Sequence, residues 1–390
     1  MTPEFSPTDP LALDAQLSDT DRLIRDTVRR YVRERFLPRI AEHYEAGTFP
    51  DGIPAELGEL GLLGMHLTGY GCAGASATAY GLTCMELEAG DSGLRSFCSV
   101  QGSLAMYAIH RFGSEEQKQR WLPPMARGEQ IGCFGLTEPD AGSNPAAMRT
   151  RARRDGSGWV LSGQKMWITS GSIADVAVVW ARIEDDGIGG FLVERGADGF
   201  TAPEMHGKLS LRASVTSELI LDSVRVPAEA RLPGANSLRG PLSCLNEARF
   251  GIVWGAAGAA RACYEAALEY ATTREQFGRK IAGFQLTQAK LAEMAVQVGQ
   301  STLLAMHVGR LKDAGELRPE QVSFGKYHNV RAALEVARTA RTVLGANGIT
   351  LEYPVLRHAN NLESVLTYEG THEIHSLVLG QALTGESAFS

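Results

Sequence analysis

The apolar residues of this 390-residue chain change their spacing twice, and these two changes limit the possible folds more than any other feature. At first they recur every three or four residues, which predicts helices. A block of short runs rich in Val, Ile and Trp follows, bounded by Gly, Asp and Pro, which is typical of strands. The helical spacing then returns. The sequence therefore predicts an α+β protein with an N-terminal helical domain, a middle β-domain and a C-terminal helical bundle domain, over residues 1–130, 131–237 and 238–390.

Local signals support this division. Ser18 is expected to cap a first helix over residues 18–36, and Ser114 with Gln117 matches a capping box. The runs of the middle block have no helices between them, so the sheet should be mainly antiparallel. A third long helix of the last block should begin near Pro319, because proline suits a first helical turn.

Composition excludes several classes of protein. The net charge of −7 lacks the basic excess of a nucleic-acid binder. No apolar run reaches the roughly 18 residues of a membrane span, and the N-terminus lacks the pattern of a signal or transit peptide. The chain is therefore expected to remain in the cytoplasm. The six cysteines form no CxxC pair and no His/Cys cluster with zinc spacing, so we expect reduced thiols and no metal site.

A nucleotide cofactor would have to be held without the usual glycine-rich devices. No GxGxxG follows a predicted strand, and no GxxxxGK[ST] occurs. A cleft between a sheet domain and helical domains is nevertheless a natural cofactor pocket.

Four segments carry residues suited to chemistry, and each also has an ordinary structural explanation. "CFGLTEPDAGSN" (133–144) is either an anion-binding loop or a simple turn, and Trp167 with Thr169 either face a flat ring or belong to a half-buried strand. The basic stretch 272–285 is either a phosphate site or a solvated helix–helix turn. "TYEGTHEIH" (367–375) holds two acids, Glu369 and Glu373, either of which could act as a base.

Taken together, these motifs resemble those of the acyl-CoA dehydrogenases. "LTEPxxGS", "KMWIT", "RxQFG…Q", "GxNGI" and "YEGTxxI" occur in the order and spacing of that family, from about residue 18 onwards. Within the family, "DSGLRS", "LRASVT", "CLNEARFGI" and the tail "LESVLTYEGTHEIHSLVLGQALTG" are most similar to the branch that oxidises glutaryl-CoA.

The resemblance implies the acyl-CoA dehydrogenase fold, with a four-helix C-terminal bundle, and FAD as the cofactor. The implied FAD contacts come from one subunit at Phe134, Leu136, Thr137, Ser143, Trp167, Thr169, Thr371 and Glu373, and from a neighbouring subunit at Arg274, Phe277, Gln285, Thr342, Leu344 and Gly345. The active form would then be a homo-oligomer, expected to be a dimer of dimers.

The resemblance also implies that Glu369 is the catalytic base. It would remove the α-proton of the acyl thioester while hydride leaves the β-carbon for the flavin. Relatives that carry their base on another helix place it one residue before an arginine that binds CoA. That arginine corresponds to Arg249 here, and the preceding residue is Ala248, which cannot act; Glu247 lies about 100° further round the helix.

The implied substrate is glutaryl-CoA. Arg95, followed by Ser96, matches the position that binds the distal carboxylate, and Glu88 matches a partner of that arginine. The residues alone favour a structural ion pair of Arg95 with Glu88 or Asp91. The other implied substrate contacts are Ser143, Asn246, Arg249 and Gly370.

Oxidation would be followed by loss of CO2 to give crotonyl-CoA, and an electron-transferring flavoprotein would take the electrons. Four alternatives remain open. They are a glutaryl-CoA dehydrogenase that does not decarboxylate, a dehydrogenase of short straight or branched acyl-CoAs, an acyl-CoA oxidase, and a flavoprotein of this fold that binds or protects DNA.

Overall fold

The computed structural model describes residues 5–183 and 187–388. The outermost residues of the expected first and last domains, 1–4 and 389–390, therefore lie outside the described residues. The architecture is the expected one of helices, a β-domain and helices again. Within the described parts of the chain, no helix combines the length and the apolar character that a membrane crossing needs.

The N-terminal part consists of seven α-helices, a small hairpin and two π-helical turns. The helices are α1 (Asp19–Tyr31), α2 (Leu37–Ala46), α3 (Ile53–Glu59), α4 (Ala77–Gly90), α5 (Ser92–Ser99), α6 (Tyr107–Phe112) and α7 (Glu115–Ala126); the hairpin pairs β1 (Thr68–Gly69) with β2 (Cys72–Ala73), and the π-helical turns span Val32–Phe36 and Val100–Met106. Ser18 caps α1 as expected, and Ser114 with Gln117 forms the capping box of α7. Twelve of the fourteen residues of α4 are buried, because this helix lies between α1 and two long helices of the C-terminal part.

The middle part is a seven-stranded sheet. Its strands are β3 (Gly132–Gly135), β4 (Arg151–Asp155), β5 (Gly158–Thr169), β6 (Val176–Ile183), β7 (Gly187–Glu194), β8 (Phe200–Thr201) and β9 (Thr216–Val226). The hydrogen-bonded path through the sheet is β3-β6-β4-β5-β9-β8. Strand β3 pairs with residues 176–179 of β6 and β4 with residues 182–183, and β7 also pairs with β6, over its whole length. The pairing is mainly antiparallel, as expected. The two exceptions are β3 and β4, which both run parallel to β6.

The C-terminal part has three long helices and two shorter ones. They are α8 (Arg239–Thr273), α9 (Gln285–Asp313), α10 (Pro319–Leu344), α11 (Val355–Thr367) and α12 (His372–Thr384), with a hairpin of β10 (Glu275–Gln276) and β11 (Arg279–Lys280) between α8 and α9. α10 begins at the expected proline. The expected four-helix bundle differs in one respect: α11 and α12, which both pack against α10, are separated by a break at residues 368–371.

Three apolar cores hold these parts together. One lies among the N-terminal helices and includes Trp180 of β6 and Trp254 of α8, so it joins all three parts. The others lie inside the C-terminal helices and inside the sheet. We keep the limits 1–130, 131–237 and 238–390 as a proposed division, since α7 ends at Ala126 and α8 begins at Arg239.

Candidate active site

The break between α11 and α12 presents Glu369 in an unusual backbone conformation. Its φ is 54°, in the left-handed region that side chains other than glycine rarely adopt, and the φ of Gly370 is 98°. A Cβ at Gly370 would come within 2.8 Å of the ring of His375, so only glycine fits this close approach. Thr371 then starts α12, and its hydroxyl accepts the N–H of Ile374.

Side chains from two long helices hold this break in place. Arg249 of α8 donates from Nε to the carbonyl oxygen of Glu369 at 2.6 Å. Lys326 of α10 donates from Nζ to the carbonyls of Tyr368 and Gly370, the latter at 2.7 Å. Asn246 supports Arg249 by accepting from its Nη1 at 3.1 Å.

The carboxylate of Glu369 lies among positively charged side chains. Its Oε2 is buried and accepts no hydrogen bond within the described parts of the chain. Burial raises the pKa of Glu369, and the positive charges of Arg95, Lys326 and Arg249 act in the opposite direction. A carboxyl group in such surroundings changes protonation closer to neutral pH than an exposed one, which is what a general base requires.

Glu373, four residues further on, has the opposite environment. It is exposed in the first turn of α12, where backbone N–H groups and the Thr371 hydroxyl lower its pKa. The two neighbouring histidines are in contact with other parts of the structure. His372 stacks on Tyr327 at 4.1 Å, and burial lowers the pKa of His375 to about 3.

A buried ion pair lies next to the break. Arg95 of α5 and Glu88 of α4 are fully buried, and Nε of the arginine donates to Oε2 of the glutamate at 2.6 Å. Arg95 also donates from Nη2 to the hydroxyl of Tyr368, which lies 3.3 Å from the Ser96 hydroxyl. Asp91, the other expected partner, instead accepts from Arg357 and Asn361.

This ion pair leaves polar atoms available for a ligand. Nη1 of Arg95 and Oε1 of Glu88 are buried and have no hydrogen-bond partner among the residues that the structure describes. Unpaired buried polar atoms are costly, so an anionic group beside Nη1 would be stabilised there.

The second acid on α8 is paired elsewhere. Glu247 accepts from Nζ of Lys312 at 2.6 Å, and Ala248 is buried. This geometry agrees with the ion-paired interpretation of Glu247 and leaves Glu369 as the candidate base.

Hydrogen bonds from a side chain of β5 hold the loop 133–144 against the sheet. Phe134 and Leu136 are buried, Thr137 is half-buried, and Ser143 is exposed. The buried Lys165 of β5 donates to the Leu136 carbonyl at 3.1 Å and to the Glu138 carboxylate at 2.8 Å. Glu138 in turn accepts the backbone N–H groups of residues 149 and 150.

Trp167 and Thr169 lie beside a β-bulge in β5. Trp167 has a φ of 63° and is 57% exposed, Ile168 is buried and Thr169 is half-buried, so the indole lies at the surface of the sheet. An exposed indole next to a fastened loop suits the face and edge of a flat ring such as an isoalloxazine.

The remaining predicted contacts lie on another surface. Arg274, Gln285 and the hairpin β10–β11 are exposed, and Phe277 at the hairpin tip is 94% exposed with a φ of 53°. The stretch 272–285 is therefore a projecting hairpin rather than a simple turn. Thr342 and Gly345 at the end of α10 are also exposed, but the Leu344 side chain is buried, so only its backbone is available to a ligand.

Three residues at the site were not identified from the sequence, namely Tyr368, Lys326 and Lys165. Lys326 gave one signal, since it lies at helical spacing from Val322, Asn329 and Val330, which are all buried. Tyr368 and Lys165 are adjacent to residues that were singled out, but their partners are distant in sequence.

Comparison with known proteins agrees with this geometry. The chain matches the profiles of the acyl-CoA dehydrogenase N-terminal domain over residues 18–129, the middle domain over 133–224 and the C-terminal domain over 239–384. It is 35% identical over 374 residues to the mitochondrial short-chain specific acyl-CoA dehydrogenase of Bos taurus. The aligned region covers 93% of this chain and 90% of the bovine protein.

Two solved structures of glutaryl-CoA dehydrogenases from Mycobacterium smegmatis are similar to the whole chain. One is 67% identical with a TM-score of 0.97, and the other, in complex with FADH2, is 61% identical with a TM-score of 0.98. Each comparison covers 99% of this chain and 100% of the solved one.

Proposed function

The chain belongs to the acyl-CoA dehydrogenase family, and on that premise we propose that it oxidises glutaryl-CoA, with Glu369 as the base and Arg95 as the group that binds the distal carboxylate. The observation that carries the substrate assignment is the fully buried guanidinium of Arg95, which has an unpaired Nη1 and lies beside the residue that precedes Glu369.

The cofactor is FAD, as in the 61% identical relative that was solved with FADH2. Its flavin would lie against Trp167, Thr169 and the loop 133–144, on the side of Thr371 and Glu373. The adenine side would meet Arg274, Phe277, Gln285 and residues 342–345 of a second subunit. When bound, FAD supplies the acceptor for the hydride that leaves the substrate β-carbon.

The chain itself removes the proton. The α-hydrogen of a thioester is weakly acidic, so its removal needs a carboxylate held at the correct position and a donor for the thioester oxygen. Glu369 would accept that proton, and its own backbone N–H would donate to the thioester carbonyl. Gly370 allows the backbone to approach closely, and Asn246 keeps Arg249 directed at the Glu369 carbonyl.

Charge supports a dicarboxylic acyl group. Nε of the buried Arg95 is paired with Glu88, but its Nη1 has no acceptor among the described residues. An apolar acyl tail would leave this donor unpaired, whereas the carboxylate of a glutaryl group would accept a hydrogen bond from it.

Decarboxylation and electron transfer complete the proposed reaction. After oxidation, the distal carboxylate leaves as CO2 and its bonding electron pair moves into the unsaturated thioester. The resulting dienolate takes a proton at the γ-carbon from Glu369, which returns to its carboxylate form, and the product is crotonyl-CoA. An electron-transferring flavoprotein then takes the two electrons.

One experiment tests the whole assignment. The holoenzyme is mixed anaerobically with glutaryl-CoA, butyryl-CoA and isobutyryl-CoA, and flavin bleaching and CO2 release are followed together. We expect the fastest bleaching and CO2 release with glutaryl-CoA. Bleaching without CO2 would identify a dehydrogenase that does not decarboxylate, and preference for butyryl-CoA would refute the substrate assignment.

A further inference from the structure

A lysine is buried in the middle of α10, where nothing in the proposed reaction has so far required one. Lys326 is 2% exposed, and lysine is almost never buried unless its charge has a partner. Here the hydrogen-bond partners are backbone oxygens, those of Tyr368 and Gly370. These two residues are the immediate neighbours of Glu369.

Three successive carbonyl groups at the break are therefore held by cations. Lys326 holds the first and the third, and Arg249 holds the second at 2.6 Å. At the end of a helix the last carbonyls have no partner within the helix, and buried ones need donors from elsewhere. Glu369 also has a left-handed backbone, which costs about 1–2 kcal/mol for a residue with a side chain. The conformation that directs the Glu369 side chain thus depends on the donors around it.

We propose that Lys326 is the positioning residue of the base: by binding the carbonyls on both sides of Glu369 it fixes the direction of the carboxylate, and its ammonium group stabilises the carboxylate's negative charge. This inference rests on the proposed role of Glu369. It adds a second residue to proton removal, one that acts through the backbone on both sides of the base.

The electrostatic part has a definite sign. The charged and titratable groups around Glu369, taken element by element, are Glu88 of α4, Arg95 of α5, Arg249 of α8, Lys326 of α10, Tyr368 of the break and His375 of α12. Burial raises the pKa of Glu369, and the positive charge of Lys326 lowers it. Burial also lowers the pKa of Lys326, and Glu369 raises it. Removal of the ammonium group should therefore raise the pKa of Glu369 further, so that less of the base is ionised at neutral pH.

The test uses two substitutions that separate position from charge. Lys326→Met removes both the donors and the charge at similar length, and Lys326→Gln keeps a donor but not the charge. Lys118→Met is the control, because it removes a lysine from α7 of the N-terminal part, which belongs neither to the break nor to the helices that hold it. All three are assayed as holoenzyme.

Proton removal is measured apart from oxidation. An acyl-CoA in which sulfur replaces the β-carbon cannot release hydride, so exchange of its α-hydrogen with D2O reports the base alone. We expect Lys326→Met to lower the exchange rate and kcat about a hundredfold, because a small misplacement of a reacting group has that effect, while KM and FAD content stay close to wild type. In Lys326→Gln the loss should be smaller and should diminish as pH rises, because the acid limb of the pH profile moves to higher pH. Lys118→Met should match the wild type.

The proposal is overturned if Lys326→Met exchanges the α-hydrogen at the wild-type rate and the acid limb of its pH profile is not shifted. If Lys326→Met fails to bind FAD, Lys326→Gln decides: a wild-type exchange rate and an unshifted acid limb in that variant also overturn the proposal. If the wild-type enzyme exchanges the α-hydrogen of the analogue but does not oxidise glutaryl-CoA, the substrate assignment is refuted. The role of Lys326 is then still decided by the exchange rates of its variants. Absence of exchange in the wild type would refute the role of Glu369 itself.

Discussion

Glu369 and Glu373 belong to one short motif, yet their surroundings shift their pKa values in opposite directions. The backbone break buries the Oε2 atom of the first, and the first turn of α12 exposes the second to water and to helix N–H groups. Sequence spacing cannot separate two acids four residues apart, because both could face a ligand. Only the position of the break, between Thr367 and His372, distinguishes them.

Replacement of Glu369 tests the base directly. Glu369→Gln keeps the size of the side chain and loses its ability to accept a proton, so we expect kcat to fall by at least about a hundredfold. FAD absorbance of the purified variant should remain, because the flavin contacts are elsewhere. Glu363→Gln, which changes a surface glutamate of α11 that pairs with Arg338, is the control, and we expect it to keep most of the activity. Near wild-type turnover in Glu369→Gln would refute the assignment.

Replacement of Arg95 tests the substrate. Arg95→Ala should lower kcat/KM for glutaryl-CoA far more than for butyryl-CoA, by about tenfold to a hundredfold in relative terms, since a charge-assisted hydrogen bond contributes about 1.5–3 kcal/mol. The variant leaves Glu88 buried without its partner, so folding is monitored by FAD content. Equal losses on both substrates would contradict the role of Arg95.

Motifs in the sequence located the candidate base and the candidate carboxylate-binding arginine, but they did not identify Lys326 or Tyr368. The reason is physical. Lys326 binds main-chain oxygens 42 and 44 residues away, and a backbone carbonyl leaves no mark in the sequence. Tyr368 matters through its hydroxyl, which meets an arginine 273 residues away.

At the scale of elements, a glycine of α8 provides the space for the ion pair of Arg95 and Glu88 where α4 packs against α8. A Cβ at Gly255 of α8 would overlap Oε2 of Glu88, the atom that binds Arg95. A glycine in a helix interior ordinarily costs about 0.5–1 kcal/mol relative to alanine. Its presence here is explained by the carboxylate that takes up the space of a methyl group.

Gly255→Ala should therefore displace Glu88 and loosen Arg95. We expect the free energy of unfolding to fall by about 1–3 kcal/mol, as at other overpacked sites. The turnover of glutaryl-CoA should fall more than the turnover of butyryl-CoA. Gly380→Ala in α12 is the control, since a Cβ there meets nothing within 4 Å. Unchanged stability and unchanged substrate preference in Gly255→Ala would show that Glu88 can move without consequence.

The change of apolar period predicted the order of helices and strands well, because burial on one face imposes that period directly. It did not predict the π-helical turns, the two parallel pairings of β6 or the hairpin after α8. These features depend on tertiary contacts and on single residues with positive φ, such as Phe277.

At the scale of the whole molecule, exposed apolar side chains are concentrated in the C-terminal part. Of the fifteen large ones in the described chain, eight lie there: Phe277, Leu286, Val296, Leu303, Phe324, Ile349, Leu377 and Leu383. Single exposed apolar residues are common on proteins, but Phe277 stands out because it is 94% exposed at the tip of a projecting hairpin. It supports the proposed homo-oligomer, in which the hairpin of one copy would reach the cofactor of another.

Phe277→Ala should weaken that assembly and the hold on FAD together. We expect sedimentation velocity at micromolar concentration to show smaller species, and the ratio of flavin to protein absorbance to fall. Leu23→Ala, which removes an exposed apolar side chain from α1, is the control. An intact oligomer with full flavin content in Phe277→Ala would contradict the predicted contact across subunits.

The two halves of the candidate site come from opposite ends of the chain. The residues expected to choose the acyl tail lie on α4 and α5, and the base lies at the break between α11 and α12, with the Tyr368 hydroxyl as the point where they meet. The residues that select the acyl tail can therefore be exchanged without replacing the residue that removes the proton. Transplanting residues 88–96 into a relative that carries the same break and a glycine at the position of Gly255 should transfer the preference for dicarboxylic substrates and leave proton removal unchanged.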